Sequence, residues 1–188
     1  MALDTQDSKN IIVIEGPRNT GKTFLMGKTG IQKHKLQFGL YYDKILNSDK
    51  KYSLGYSIGK DLQFLTLLQN NFLTKEKFFV DRLFLTSIVY SVLDERFTRD
   101  QGKQYLELLL KNFGDVIRKM YIVYLEGKNP IPRVKDSFDS RFLYDDERLL
   151  YHYFLNLLIV NDIEVMQFEN EFTEESILNF KEFINDLR

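Results

Sequence analysis

At 188 residues, 44% apolar and 14% aromatic, the chain can bury one full core and has no room for two ordinary domains, so a single unit over 1–188 is expected. Its 27 acidic and 26 basic residues leave a net charge of −1, which excludes a global field for gathering nucleic acid or an anionic membrane, and the lack of cysteine excludes disulfides, thiolate metal sites and thiol catalysis. No run approaches the roughly 18 apolar residues of a membrane span, Met1 to Asn10 lacks the apolar stretch of a signal peptide, and His34 and His152 do not suggest zinc, so a cytoplasmic protein is expected.

Ile11 to Ile14 is a β-branched run that meets Gly16 and Pro17, the pattern of a strand buried on both faces. A helix is expected from near Gly21 to about Lys33, then a second strand at Leu40-Tyr41-Tyr42. Residues 47–57 are polar and turn-rich and read as a loop. Leu62, Leu65, Leu68 and Phe72 give helical spacing across 61–72, and Phe78-Phe79-Val80-Asp81 is a short strand ending in a carboxylate. Amphipathic helices follow over 83–97 and 105–113, and Met120 to Leu125 is a clear strand. Asn129 to Pro132 breaks the pattern. A helix from Asp145, a strand over 164–168 and a helix over 174–187 complete the chain. Strands alternating with helices predict an α/β three-layer sandwich with a mainly parallel sheet of about five strands and helices on both faces.

Between the first strand and the first helix lies Gly16-Pro17-Arg18-Asn19-Thr20-Gly21-Lys22-Thr23, a phosphate-loop pattern. Glycine allows the backbone angles and close approaches of such a turn, whose amides then point inward around a phosphate. Gly16, Asn19, Thr20, Gly21, Lys22 and Thr23 are therefore candidate ATP-binding residues. Lys22 supplies a cation that can bridge β- and γ-phosphates, and Thr23 a hydroxyl for Mg²⁺.

Asp81 ends a strand at the carboxyl edge of the sheet, where open α/β sheets bind ligands, and Arg82 follows it. The carboxylate can complete a Mg²⁺ shell or accept a proton from an attacking hydroxyl; it can also simply cap a helix. Arg82 can fork onto an acceptor phosphate or lie on the surface.

The run Asp81-Arg82-Leu83-Phe84-Leu85-Thr86-Ser87-Ile88-Val89-Tyr90 resembles the thymidylate kinase-like nucleoside and nucleoside-monophosphate kinases, in which an Asp-Arg or Glu-Arg strand end is followed by Ser, here Thr86, and then by an aromatic, here Tyr90. The resemblance implies a P-loop kinase fold, Arg82 on the acceptor phosphate and Asp81 near the metal and the reacting oxygen. Tyr90 is then an acceptor-site or a core aromatic. It also implies that 133–141, Arg133-Val134-Lys135-Asp136-Ser137-Phe138-Asp139-Ser140-Arg141, is a basic lid whose Arg133 and Arg141 close over the triphosphate, the alternative being a solvated loop. Phe64 could stack on a base or sit in the core. Two positions depart from the family: Arg18 stands where it usually carries Asp, and Leu68 stands where the arginine that follows Phe64 would be.

The function this implies is ATP- and Mg²⁺-dependent phosphoryl transfer to a deoxynucleoside monophosphate, with a small-molecule nucleotide as partner and a homodimer compatible with it. A deoxynucleoside kinase, for which Asp43 is a candidate base or turn residue, is the nearest alternative. A polynucleotide 5′-kinase would need a basic groove that balanced charge does not favour. A non-catalytic ATP-gated interaction module would leave Asp81 and Arg82 without a task.

Overall fold

The computed structural model describes residues 9–33, 54–70, 77–128 and 143–187. The first strand, β1 (Ile11–Glu15), is apolar up to its last residue and lies buried at the centre of a five-stranded sheet of order β2-β3-β1-β4-β5. β3 (Phe78–Asp81), β4 (Met120–Gly127) and β5 (Val165–Asn170) are its longer partners, and β2 (Gln32–Lys33) is a two-residue edge strand. Every pairing is parallel. Strands buried on both faces need apolar side chains at successive positions, which is why β1 and β4 read as continuous runs instead of alternating ones.

Among the described residues six helices cover the sheet: α1 (Lys22–Lys28), α2 (Leu54–Gln69), α3 (Phe84–Leu93), α4 (Arg99–Arg118), α5 (Tyr144–Val160) and α6 (Glu174–Asn185). Val13, Val80, Ile122 and Tyr124 pack with Phe64, Ile88, Leu109 and Phe154 from α2 to α5 on one face. Ile12, Ile14, Phe79 and Val123 pack with Leu25, Met26, Phe180 and Ile184 of α1 and α6 on the other. Each fully buried aliphatic or aromatic side chain contributes about 1.5–3 kcal/mol, so the two interfaces together hold the sandwich. Among the described residues no helix is long and apolar enough to cross a membrane.

Several boundaries differ from the sequence expectations. α1 stops at Lys28 instead of about Lys33, because the Thr29 hydroxyl bonds back to Met26 O and Gly30 turns left-handed at φ 78. Lys33 therefore lies in β2. α2 starts at Leu54, inside the span read as a loop. α4 extends from Arg99 to Arg118, its start fixed by a capping box in which Thr98 and Gln101 satisfy each other's backbone amides. The strand expected at Leu40-Tyr41-Tyr42, Asp43, and the lid segment 133–141 lie outside the described residues.

Candidate active site

β1 and β3 run side by side with Ile14 opposite Asp81, so the phosphate loop and the Asp81-Arg82 pair leave the sheet at the same edge. The loop has the backbone its sequence calls for. Gly16 takes φ 137, and a Cβ there would lie 2.2 Å from Leu125 O, so no other residue fits without moving β4. Asn19 (φ 61) and Gly21 (φ 83) are left-handed, and Gly21 caps α1.

Lys22 is buried, and its Nζ donates to Pro17 O and, at 3.0 Å, to Thr20 Oγ1. Burial, reinforced by the Arg82 charge, holds its pKa well below the usual lysine range. Thr20, also buried, donates to Pro17 O at 3.0 Å. Thr23 is exposed at the first turn of α1, and its Oγ1 donates to Asp81 Oδ2 at 3.0 Å. A hydroxyl and a carboxylate so disposed are hard oxygen ligands of the kind Mg²⁺ takes.

Arg82 follows with φ 71, a left-handed conformation unusual for arginine, while its N–H donates to Ile14 O at 3.0 Å. Two contacts fix that turn from below. Glu15 Oε1 accepts from Leu83 N–H at 2.8 Å, and Glu15 Oε2 accepts from the Thr86 hydroxyl at 2.5 Å. Glu15 is 1% exposed, and burial lifts its carboxyl to about 7 against those hydrogen bonds and the charges of Arg82 and Lys22. Thr86 in turn meets the Tyr151 hydroxyl at 2.7 Å. Asp61, wholly buried on α2 beside Ser87, is driven well above the carboxylate range by burial, with the charge of Glu15 adding to the shift.

Tyr90 lies between Arg18 and Arg82. Its hydroxyl donates to Glu147 Oε2 at 2.9 Å and hydrogen-bonds Arg82, and the same Glu147 oxygen accepts from the backbone N–H of Arg18 at 3.1 Å. Phe64, by contrast, is 1% exposed within the core cluster, and its packing is that of a core side chain. Gly16, Asn19, Thr20, Gly21, Lys22, Thr23, Asp81, Arg82 and Tyr90 thus gather at one edge; Arg133 and Arg141 lie outside the described residues.

Sequence reasoning missed three residues. Glu15 reads as a strand end, although a lone acid closing an apolar strand just before the loop was the available signal. Glu147 is hidden among the first-turn acids Asp145 and Asp146, which suit a helix N-terminus. Asn170, at the end of β5, donates through Nδ2 to Thr20 O at 2.9 Å and accepts from Phe172 N–H at 3.0 Å, clamping the loop; nothing in its local sequence marks it.

No protein-family model matches the sequence, and no curated protein does. Solved structures share the fold. A NadR protein in complex with NR superposes with a TM-score of 0.61 at 13% identity over 96% of this chain, which spans about half (52%) of that one. Thymidylate kinase from Candida albicans gives 0.55 at 15% identity, covering 95% of this chain and 92% of that chain. Deoxyadenosine kinase from M. mycoides gives 0.50 at 14% identity, covering 94% and 97%. What the chain shares with these proteins is the fold, a parallel sheet with helices on both faces.

Proposed function

On this fold, we propose that the chain is a P-loop phosphotransferase that moves the γ-phosphoryl group of ATP to a deoxynucleoside monophosphate. The observation that carries the reading is the meeting, at one sheet edge, of Lys22 and Thr23 with Asp81 and Arg82, donor-side and acceptor-side chemistry separated by a single hydrogen bond between Thr23 and Asp81. A NadR complex with AMP-PNP shares the fold, and so does an M. mycoides deoxyadenosine kinase with dCMP and dCDP bound, which supports nucleotide binding on this fold.

Thr23 and Asp81 would hold Mg²⁺, which when bound neutralises charge on the phosphates as the β–γ bond loosens. The chain's own residues do the rest. Amides of residues 19–23 cradle the donor phosphates, and Lys22 exchanges its bonds to Pro17 O and Thr20 Oγ1 for phosphate oxygens, which restores the charge that burial opposes. Arg82 orients the acceptor phosphate. An oxygen of that phosphate forms the new bond to the γ-phosphorus, the bond to the β–γ bridging oxygen breaks, and ADP leaves with the electron pair. A phosphate dianion is already deprotonated and needs no general base, whereas a nucleoside hydroxyl would need one. Arg133 and Arg141 are assigned to a lid that excludes water and neutralises developing charge. A cytoplasmic setting suits these substrates.

The test is kcat/KM, with ATP, for matched deoxynucleosides and their 5′-monophosphates in the wild type and in Arg82→Lys. Lysine keeps the charge and loses the planar fork, so the monophosphate should lose about 1–3 kcal/mol of transition-state stabilisation. A wild type that prefers the nucleoside, or an equal loss for both acceptors, ends the monophosphate reading and makes Asp43 the residue to test as a base.

A further inference from the structure

Arg18 has no part in the reading above. It is 9% exposed, and its guanidinium carbon lies 4.9 Å from the centre of the Tyr90 ring, the same ring whose centre is 6.0 Å from the guanidinium carbon of Arg82. Glu147, itself wholly buried, fixes both partners: one oxygen holds the Arg18 backbone at 3.1 Å and the Tyr90 hydroxyl at 2.9 Å, and that hydroxyl bonds Arg82. A single carboxylate on α5 therefore sets the root of one arginine and the ring that both arginines flank. Lys22 is close enough that the Arg82 charge helps depress its pKa. Asp81, Glu147 and Glu15 pull the Lys22 pKa the other way, so these cations lie among carboxylates, and a doubly charged anion placed between the two guanidiniums is attracted by both. Two guanidinium forks can bracket a phosphate dianion with charge-assisted hydrogen bonds, and they gain nothing comparable from an uncharged nucleoside.

We propose that Arg18 is a specificity-determining residue of the acceptor site: with Arg82 it grips the phosphate of a nucleoside monophosphate and sets the preference for phosphorylated over unphosphorylated acceptors. The inference rests on the phosphotransferase reading and deepens it. It gives the arginine at the third loop position an acceptor-side task, and it makes Glu147 and Tyr90 the positioning residues of a two-arginine clamp.

The experiment compares wild type, Arg18→Gln and Arg18→Lys. Thermal melts establish folding, kcat/KM is measured for the common deoxynucleosides and their 5′-monophosphates, and calorimetry gives the dissociation constant of each monophosphate without ATP. Arg18→Gln should lower kcat/KM for the preferred monophosphate by about 10- to 100-fold and weaken its binding by a similar factor, moving the matched nucleoside far less. Arg18→Lys should fall between, since it keeps the charge and loses the fork. Equal losses for both acceptors, or a raised KM confined to ATP, overturn the inference and give Arg18 to the donor side. If the wild type transfers to no acceptor, the kinase reading fails, and the binding arm still decides: a monophosphate affinity unchanged in Arg18→Gln overturns the clamp.

Discussion

Thr23 Oγ1 donates to Asp81 Oδ2 at 3.0 Å, joining the first turn of α1 to the end of β3 across 58 positions of sequence. Both atoms are hard oxygen ligands, so Thr23→Val and Asp81→Asn should each raise the Mg²⁺ concentration for half-maximal activity by roughly tenfold, about 1.4 kcal/mol. A magnesium titration at saturating ATP reads this directly. If neither variant shifts the curve, the metal is held elsewhere.

In the proposed reaction Lys22 is the donor-side cation. Lys22→Ala should keep the fold, checked by circular dichroism, and reduce phosphoryl transfer by roughly 10³, about 4 kcal/mol of transition-state stabilisation. Wild-type turnover in the variant would remove Lys22 from the mechanism.

Gly16 and Gly27 make a matched pair for stability. An alanine Cβ at Gly16 would lie 2.2 Å from Leu125 O on a backbone at φ 137, whereas at Gly27, within α1, it would meet nothing within 4 Å. Gly16→Ala should cost at least about 2 kcal/mol, and Gly27→Ala should gain up to about 1 kcal/mol from helix propensity. Urea unfolding of both variants gives the comparison; equal midpoints would mean that β4 yields easily at Leu125.

Glu15 predicts a pH dependence. Burial lifts its carboxyl from the ordinary 4.5 to about 7, so between those values the folded protein keeps a proton that the unfolded chain releases. Ionisation of Glu15 therefore works against folding as pH rises from about 4.5 to 7, by roughly 3 kcal/mol in total. Glu15→Gln carries no such term, so its stability relative to wild type should improve from pH 5 to pH 8. Parallel stability curves from denaturant melts across that range would contradict the buried-acid account.

If Arg133 and Arg141 belong to a lid, as proposed, replacement of both by alanine should depress kcat more than ATP affinity, because contacts made on closure strengthen at the transition state. Pre-steady-state transfer and ATP titration separate the two effects. An unchanged kcat would return 133–141 to an ordinary solvated loop.

The run Ile11 to Ile14, the glycines at 16 and 21, and the Lys22-Thr23 pair were legible in the sequence because each is a local demand: a buried strand, a turn that only glycine permits, a cation and a hydroxyl one residue apart. The alternation of strands and helices likewise determined the parallel three-layer architecture, since parallel strands need crossovers that helices supply. Helix ends were less legible. The stop after Lys28 depends on Thr29 and Gly30 acting together, and α2 begins at Leu54, inside a stretch whose polar, turn-rich composition reads as a loop.

What only the tertiary structure decided is which polar side chains share the site. Glu15, Glu147 and Asn170 come from three separate elements, and each is ordinary in its own segment: a strand end, one acid among three, an asparagine before a turn. They become a site because parallel pairing brings the ends of β1, β3, β4 and β5 to one edge, and because burial there makes every unpaired polar group costly. A carboxylate on α5 must then find the Arg18 amide and the Tyr90 hydroxyl, and an amide at the end of β5 must find the loop carbonyl. Local sequence specifies a residue's chemistry and its backbone; its partners are set by long-range packing, which no single segment encodes.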